Sequence, residues 1–198
     1  MDRIDEILKF WFGRVEETIV PSENRARIWF GESPEVDREI AEKFSQDLEK
    51  AINGMCVEWE KNPRGQLALI ITLDQFSRHV YRDSPKAFAQ DDYALSICVN
   101  GIERHEDHKL SLIERVFYYF PLLHSEDLHH HEISIRGYQI LFELALPETQ
   151  VIYESFFKFA NHHHHIIRRF GRFPQRNALL GRESTPEETQ YLNEMKGS

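Results

Sequence analysis

Apolar residues recur at helical spacing through most of the chain. The first run follows the i, i+3, i+4, i+7 pattern that places apolar side chains on one face of a helix, at Ile4, Ile7, Leu8 and Trp11. A second run repeats every four residues from Val36 to Ile52, with charged residues between its members. Each pattern predicts an amphipathic helix that buries one face.

The segment from Leu67 to Leu73 leaves no polar face. A helix that is apolar on all sides is buried, although a short buried strand can have the same composition. The stretch continues through residues 74–82 without a turn signal, which favours a helix. We therefore expect a buried helix here.

Helix boundaries are marked by capping residues and prolines. A capping side chain followed by proline is typical of a helix start, at Ser33-Pro34, Asn62-Pro63, Ser84-Pro85 and Thr185-Pro186. A helix over about residues 110–120 is expected to end at Pro121. The next helix, over about residues 126–145, is expected to begin with Ser125 as its cap and Glu126 in its first turn.

These elements predict an all-α fold. No segment alternates with a period of two over a useful length, and a further helix is expected from residue 147 to residue 170. We predict roughly nine helices in a single domain that covers residues 1–198. Short connections would pack consecutive helices as antiparallel pairs.

Composition narrows the class of protein. The 198 residues are 41% hydrophobic and 29% charged, as in an ordinary globular chain. The net charge of −9 disfavours a nucleic-acid partner. Apolar runs fall far short of the roughly 20 residues that span a bilayer, so we expect no membrane partner. The two cysteines, Cys56 and Cys98, form no cluster, which is typical of a reducing compartment and predicts a cytoplasmic location.

Three polar residues interrupt the most hydrophobic segment. Asp74 and Arg78 are four residues apart on one helical face, with Gln75 beside them. A buried charge must be paired or hydrogen-bonded. Two interpretations stay open: an internal ion pair that holds neighbouring helices, or one wall of a functional site.

Arginines concentrate near the C-terminal end of this acidic chain. Five lie between residues 166 and 185: Arg168, Arg169, Arg172, Arg176 and Arg182. Gly171 and Pro174 predict that part of this stretch is an irregular connection. Guanidinium groups bind carboxylate and phosphate, and Asn177 together with the start of the last helix could complete an anion site. Alternatively, the arginines pair with carboxylates of other helices.

Histidines are numerous and of two kinds. Two runs, at residues 129–131 and 162–165, cannot chelate one ion with every member, because consecutive helical residues point about 100° apart. We therefore assign no metal ligands. His124 stands apart from the runs, and an imidazole there could serve as acid, base or anion donor.

Several strings follow one another along nearly the whole chain: Trp29-Phe30, LDQF at 73–76 with Arg78, AFAQD at 87–91, HSEDL at 124–128, FGRFPQRN at 170–177 and LGREST at 180–185. In this combination the sequence resembles the bacterial domain-of-unknown-function 924 family. The resemblance implies a tetratricopeptide-like α-α superhelix and brings no established activity.

The resemblance also implies that several residues of this chain are motif positions of the family. They are residues noted above, together with Asp91 and His163. The chain departs from the family pattern at three positions. Ser77 stands where proline is usual, His131 where glutamine is usual, and Gln175 where histidine is usual. A mechanism that used this last histidine would not apply to this chain.

We hypothesise a pocket for an anionic small molecule. Its candidate ligand-binding residues are Arg78, Arg169, Arg172, Arg176, Asn177 and Arg182. Its candidate catalytic residues are His124, Glu126, His163 and Asp74. Arginines would stabilise negative charge and a histidine would carry the proton, as in hydrolysis or group transfer. The sequence contains no GxSxG nucleophile motif, and it does not identify a cofactor.

Two alternatives remain. The chain could be an interaction module of tetratricopeptide-like type, without catalysis, that holds an acidic peptide in an open groove. It could also be a metal enzyme that uses His124, Glu126 and His163. A closed cavity in which arginines meet His124 would favour the small-molecule pocket.

Overall fold

The computed structural model describes residues 2–14, 25–31 and 33–196. Within these ranges the chain forms nine helices: α1 (Arg3–Phe12), α2 (Ala26–Phe30), α3 (Pro34–Ile52), α4 (residues 63–80), α5 (Asp91–Glu103), α6 (residues 112–124), α7 (Leu128–Leu144), α8 (Gln150–Phe170) and α9 (Pro186–Lys196). Short 3-10 turns lie between several of them, and no strand occurs in the part of the chain described. The predicted all-α fold is confirmed.

Helix α4 is the most deeply buried element. Residues from Leu67 to Leu73 have no exposed surface, as their all-apolar pattern predicts. The helix packs against α1, α3, α5 and α6. Large aromatic side chains fill the space around it, including Trp11, Phe76 and Phe117, whose rings meet mostly edge to face. Helices α7 and α8 pack along each other beside this core.

Several predicted caps are present. The Asn62 side chain accepts a hydrogen bond from the backbone of Gly65 (2.9 Å) at the start of α4. At the start of α9, which the sequence places at Thr185-Pro186, Thr185 and Glu188 accept hydrogen bonds from each other's backbone N–H groups and form a capping box.

The prediction that a helix ends at Pro121 is wrong. Helix α6 pauses for one residue at Tyr119 and continues over Phe120–His124. Proline is tolerated in the first turn of a helical segment because the N–H group it lacks has no helical acceptor there. As a result His124 lies at the end of α6.

The predicted start of the next helix is also wrong. Ser125 and Glu126 lie in the connection, and Asp127 caps α7 by accepting from the backbone N–H of His129 at 2.8 Å. The segment after Ser84 is likewise not one helix: Pro85–Phe88 is a 3-10 turn, and α5 begins at Asp91. No helix in the described residues has the length and apolar character needed to cross a membrane.

Gly101 lies where α5 packs closely against the buried side chain of Tyr118. A Cβ atom at this position would overlap the hydroxyl of Tyr118 and lie 2.9 Å from Oε1 of Gln66. Tyr118 is fully buried and donates to Gln66 at 2.6 Å, so its ring cannot move away freely.

We predict that Gly101→Ala lowers the free energy of unfolding by about 2 kcal/mol in urea titration. Ser96→Ala, on the exposed face of the same helix, should change it by less than about 0.5 kcal/mol; equal effects of the two substitutions would contradict the packing described.

Candidate functional site

The site begins at a widened turn inside α4. Residues Ile71–Phe76 form a π-helical segment, which the sequence pattern did not predict. Such segments are rare and are frequent at functional sites. Asp74 and Gln75 lie in this segment, and both are buried. Arg78 folds back and donates to the backbone carbonyl of Asp74 at 2.6 Å.

The carboxylate of Asp74 joins two segments that are distant in sequence. Its Oδ1 atom lies 2.7 Å from Nδ1 of His124 and 3.1 Å from Nη1 of Arg78. Its Oδ2 atom accepts from Nε2 of Gln75 at 2.5 Å. Burial alone would raise the pKa of Asp74, but Arg78 and His124 together hold it at about 2. Asp74 is therefore ionised and accepts the Nδ1–H hydrogen of His124.

His124 has one nitrogen bound and one available. Burial lowers the pKa of the imidazole, and the positive charge of Arg78 lowers it further against the opposing effect of Asp74. The ring is therefore neutral near pH 7, with its proton on Nδ1. Nε2 is then a hydrogen-bond acceptor, and no described residue donates to it.

A second carboxylate continues the charged network. Asp91, at the start of α5, lies 2.9 Å from Nη1 of Arg78 and 3.1 Å from Nη1 of Arg176. The guanidinium of Arg176 packs against the rings of Phe88 and Phe173, with 4.7 Å to each centroid. Burial and the charge of Arg78 lower the pKa of Arg176. Sequence reasoning assigned no role to Phe88, because a phenylalanine at helical spacing is more often part of the core.

Glu126 fixes the connection after α8. Its carboxylate accepts from both terminal nitrogens of Arg182, at 2.6 and 2.9 Å, and from the backbone N–H of Phe173 at 2.8 Å. Although burial opposes it, these hydrogen bonds lower the pKa of Glu126. Arg182 also donates to Asn177, which is buried. These contacts hold residues 171–185 beside the end of α6.

A pocket of about 250 Å³ lies where these segments meet. Three parts of the chain line it: Pro85, Phe88, Ala89, Asp91, Asp92 and Leu95; Pro121, His124, Ser125 and Glu126; and Arg176 and Leu180. The fully buried Asp74 supports the pocket from behind His124. The structure thus brings Arg176, His124 and Glu126 together at one cavity, with Asp74 and Arg78 next to them.

Two of the sequence-predicted arginines lie elsewhere. Arg169 pairs with Glu187 at 2.8 Å, and Arg172 forms two bonds with Glu188 at 2.7 and 2.8 Å. Both carboxylates belong to the first turn of α9. The structure therefore places these two arginines in ion pairs with carboxylates of α9, an exposed one at Arg169 and a partly buried one at Arg172, which is the alternative interpretation of the cluster.

Residues of the histidine runs do not line the pocket, although His131 and His163 pack against Phe173. His163 is half-buried; its Nδ1 bonds the backbone carbonyl of Phe159 at 3.0 Å, and its ring packs on Phe159 and Phe173. Burial lowers its pKa to about 3. In the described part of the chain, no three His, Cys, Asp or Glu side chains are grouped as they would be around a metal ion.

Fold and site together define an all-α protein in which a buried carboxylate–imidazole pair faces a small pocket. The chain belongs to the family described as bacterial protein of unknown function (DUF924), whose model matches residues 7–196. The resemblance seen in the motifs is thereby confirmed. A solved structure of a protein of unknown function from Agrobacterium tumefaciens (ATU0120) is similar, with 30% identity, 96% of this chain and 97% of that chain covered, and a TM-score of 0.77. The search of curated proteins gave no significant match.

His131 makes the region around the pocket sensitive to acid. It is fully buried, its Nε2 donates to the carbonyl of Ser125 at 2.7 Å, and burial lowers its pKa from 6.5 to about 4. The unfolded chain binds a proton here at a higher pH than the folded one. Stability is therefore complete above pH 6.5 and is lost as the pH falls towards 4, by up to about 3 kcal/mol.

We predict that His131→Gln flattens this pH dependence, measured as urea unfolding at steps between pH 7.5 and 4.5. His129→Gln, at the exposed neighbour two residues earlier, serves as the matched control and should keep the wild-type slope. An unchanged slope in His131→Gln would show that other groups cause the acid sensitivity.

Proposed function

We propose that this protein binds a small molecule with an anionic group in the pocket and that His124 transfers a proton to or from it. One observation carries the proposal: His124, whose Nδ1 is bound to the carboxylate of Asp74, lines a cavity that Arg176 also lines. A polar site of this kind within a rigid helical scaffold is typical of ligand-binding cavities.

The proton-transfer part follows from the state of the pair. Neutral His124 can accept a proton at Nε2 from a water molecule or from a hydroxyl group of the bound molecule. The resulting imidazolium keeps its Nδ1–H bond to Asp74, whose negative charge stabilises it. The same proton can then be returned to a leaving group, so the residue ends in its starting state.

The anion-binding part rests on Arg176. Of its five N–H groups, those on Nη1 meet Asp91, while no described residue accepts from Nε or Nη2. Phe88 and Phe173 cover its faces and fix its plane. A carboxylate or phosphate in the pocket can therefore be met by an oriented guanidinium edge. Arg182 is less suited, because Glu126 already binds both of its terminal nitrogens.

Hydrolysis or group transfer is the reaction class that fits these residues. Both cysteines are buried, and burial raises the pKa of Cys98 well above its usual value, so a thiolate nucleophile has no support there. The attacking oxygen would then come from water or from the substrate itself, activated at Nε2 of His124.

The size of the cavity separates this proposal from the peptide-binding alternative. A volume of about 250 Å³ is room for roughly eight water molecules. It is a short, partly open cavity lined by three chain segments, whereas peptide recognition in helical repeats uses an extended groove. The pocket therefore favours a small molecule.

The binding part can be tested by thermal shift with a panel of small carboxylic acids and phosphate esters. We expect at least one compound to raise the melting temperature of the wild-type protein by mass action. Arg176→Met keeps an apolar stem between the two rings but removes the donors, so it should abolish the shift. Arg169→Met makes the same change at the pair with Glu187 and should keep it. A shift that persists in Arg176→Met would overturn the assignment of the anion site.

The proton-transfer part needs a second variant. For any compound that the wild-type protein converts, followed by mass spectrometry, His124→Gln should slow turnover about 10²–10⁴-fold. Its thermal shift with the same compound should remain, because Arg176 is intact. Turnover equal to wild type in His124→Gln would remove the residue from the mechanism.

A further inference from the structure

We propose that the pocket selects molecules that carry a protonated amine as well as an anionic group, and that Asp92 is the residue that recognises the amine. This inference rests on the proposed function, because it places the second charge of the ligand relative to an anion held by Arg176. It assigns the substrate class as small zwitterionic compounds.

Asp92 differs from the other carboxylates around the pocket. Asp91 pairs with Arg78 and Arg176, and Glu126 pairs with Arg182. Asp92 lines the pocket on its exposed side and forms no hydrogen bond or ion pair with any described residue. The pocket therefore has a negative charge that the surrounding protein leaves uncompensated.

This charge works against a ligand that is only an anion. A carboxylate or phosphate bound at Arg176 lies in the same small cavity as Asp92 and is repelled by it. An ammonium group on the same molecule reverses that interaction. Asp92 also lies in the first turn of α5, where the helix dipole favours a negative group.

The hydrogen-bonding groups of the cavity match an amine. An ammonium has three N–H donors and no acceptor. The carboxylate of Asp92 is an acceptor without a donor among the described residues, and Nε2 of His124 stays available for the proposed proton transfer. Leu95 and Leu180 add apolar surface for a short carbon chain between the two charged ends.

The two charged ends are held apart by the helix. Arg176 is bound to Asp91, and side chains of consecutive helical residues point about 100° apart. Asp92 therefore lines the cavity from a different direction than Asp91, which binds the guanidinium. A bound molecule must span that separation, which favours compounds whose amine and acid are separated by a few atoms.

Matched pairs of probes test the inference. Phosphoethanolamine is compared with ethyl phosphate, and β-alanine with propanoate, by isothermal titration calorimetry at pH 7.5. We expect the amine-bearing member of at least one pair to bind wild type about fivefold tighter, which is the upper end of what one exposed ion pair allows. Asp92→Asn should reduce that preference to less than about twofold. Glu103→Gln removes the same charge at the far end of α5 and should keep the wild-type preference.

The outcomes separate this inference from the proposed function. Equal binding within both pairs, or a preference that survives in Asp92→Asn, overturns the role of Asp92 while the anion site at Arg176 stands. If neither pair binds wild type, the zwitterion class is rejected, and the separate panel with Arg176→Met still decides whether the pocket binds anions. Circular dichroism of Asp92→Asn excludes unfolding as the cause of a lost preference.

Discussion

The ionised carboxylate of Asp74 is the constraint on which the site depends. It lies fully buried in α4, directly after the apolar stretch from Leu67 to Leu73, where an unpaired charge would cost several kcal/mol. It is tolerated because Arg78, His124 and Gln75 all contact it. His124 comes from α6, so this one buried charge fixes the end of α6 against α4.

Acidic and basic side chains alternate in the rest of this network. Arg78 is shared between Asp74 and Asp91, and Asp91 is shared between Arg78 and Arg176. Arg78 and Asp91 each contact two oppositely charged side chains. Together with His124 and Arg176, this network joins four segments of the chain. The arrangement also leaves Asp74 ionised and His124 neutral, which are the protonation states that the proposed proton transfer requires.

The sequence predicts the helices better than it predicts the site. Apolar spacing and caps locate most helices, because those signals are local. The predicted helix end at Pro121 is wrong because a proline can follow the end of a helix or occupy its first turn, and the sequence alone does not distinguish the two. The π segment escaped prediction, since one extra residue in a turn leaves an all-apolar pattern unchanged. Composition also could not separate Arg172 from Arg176, because only the fold decides that one meets Glu188 and the other Asp91.

The connection after α8 has a consequence for the order in which this protein is made. Residues 173–182 supply Arg176 and the backbone that Glu126 binds, and Arg172 and Asn177 tie this stretch to Glu188 in α9. On the ribosome, the central helices can pack before this stretch has emerged. The cavity itself is complete only when the C-terminal segment has docked, because Arg176 and Leu180 of its lining are made late in synthesis.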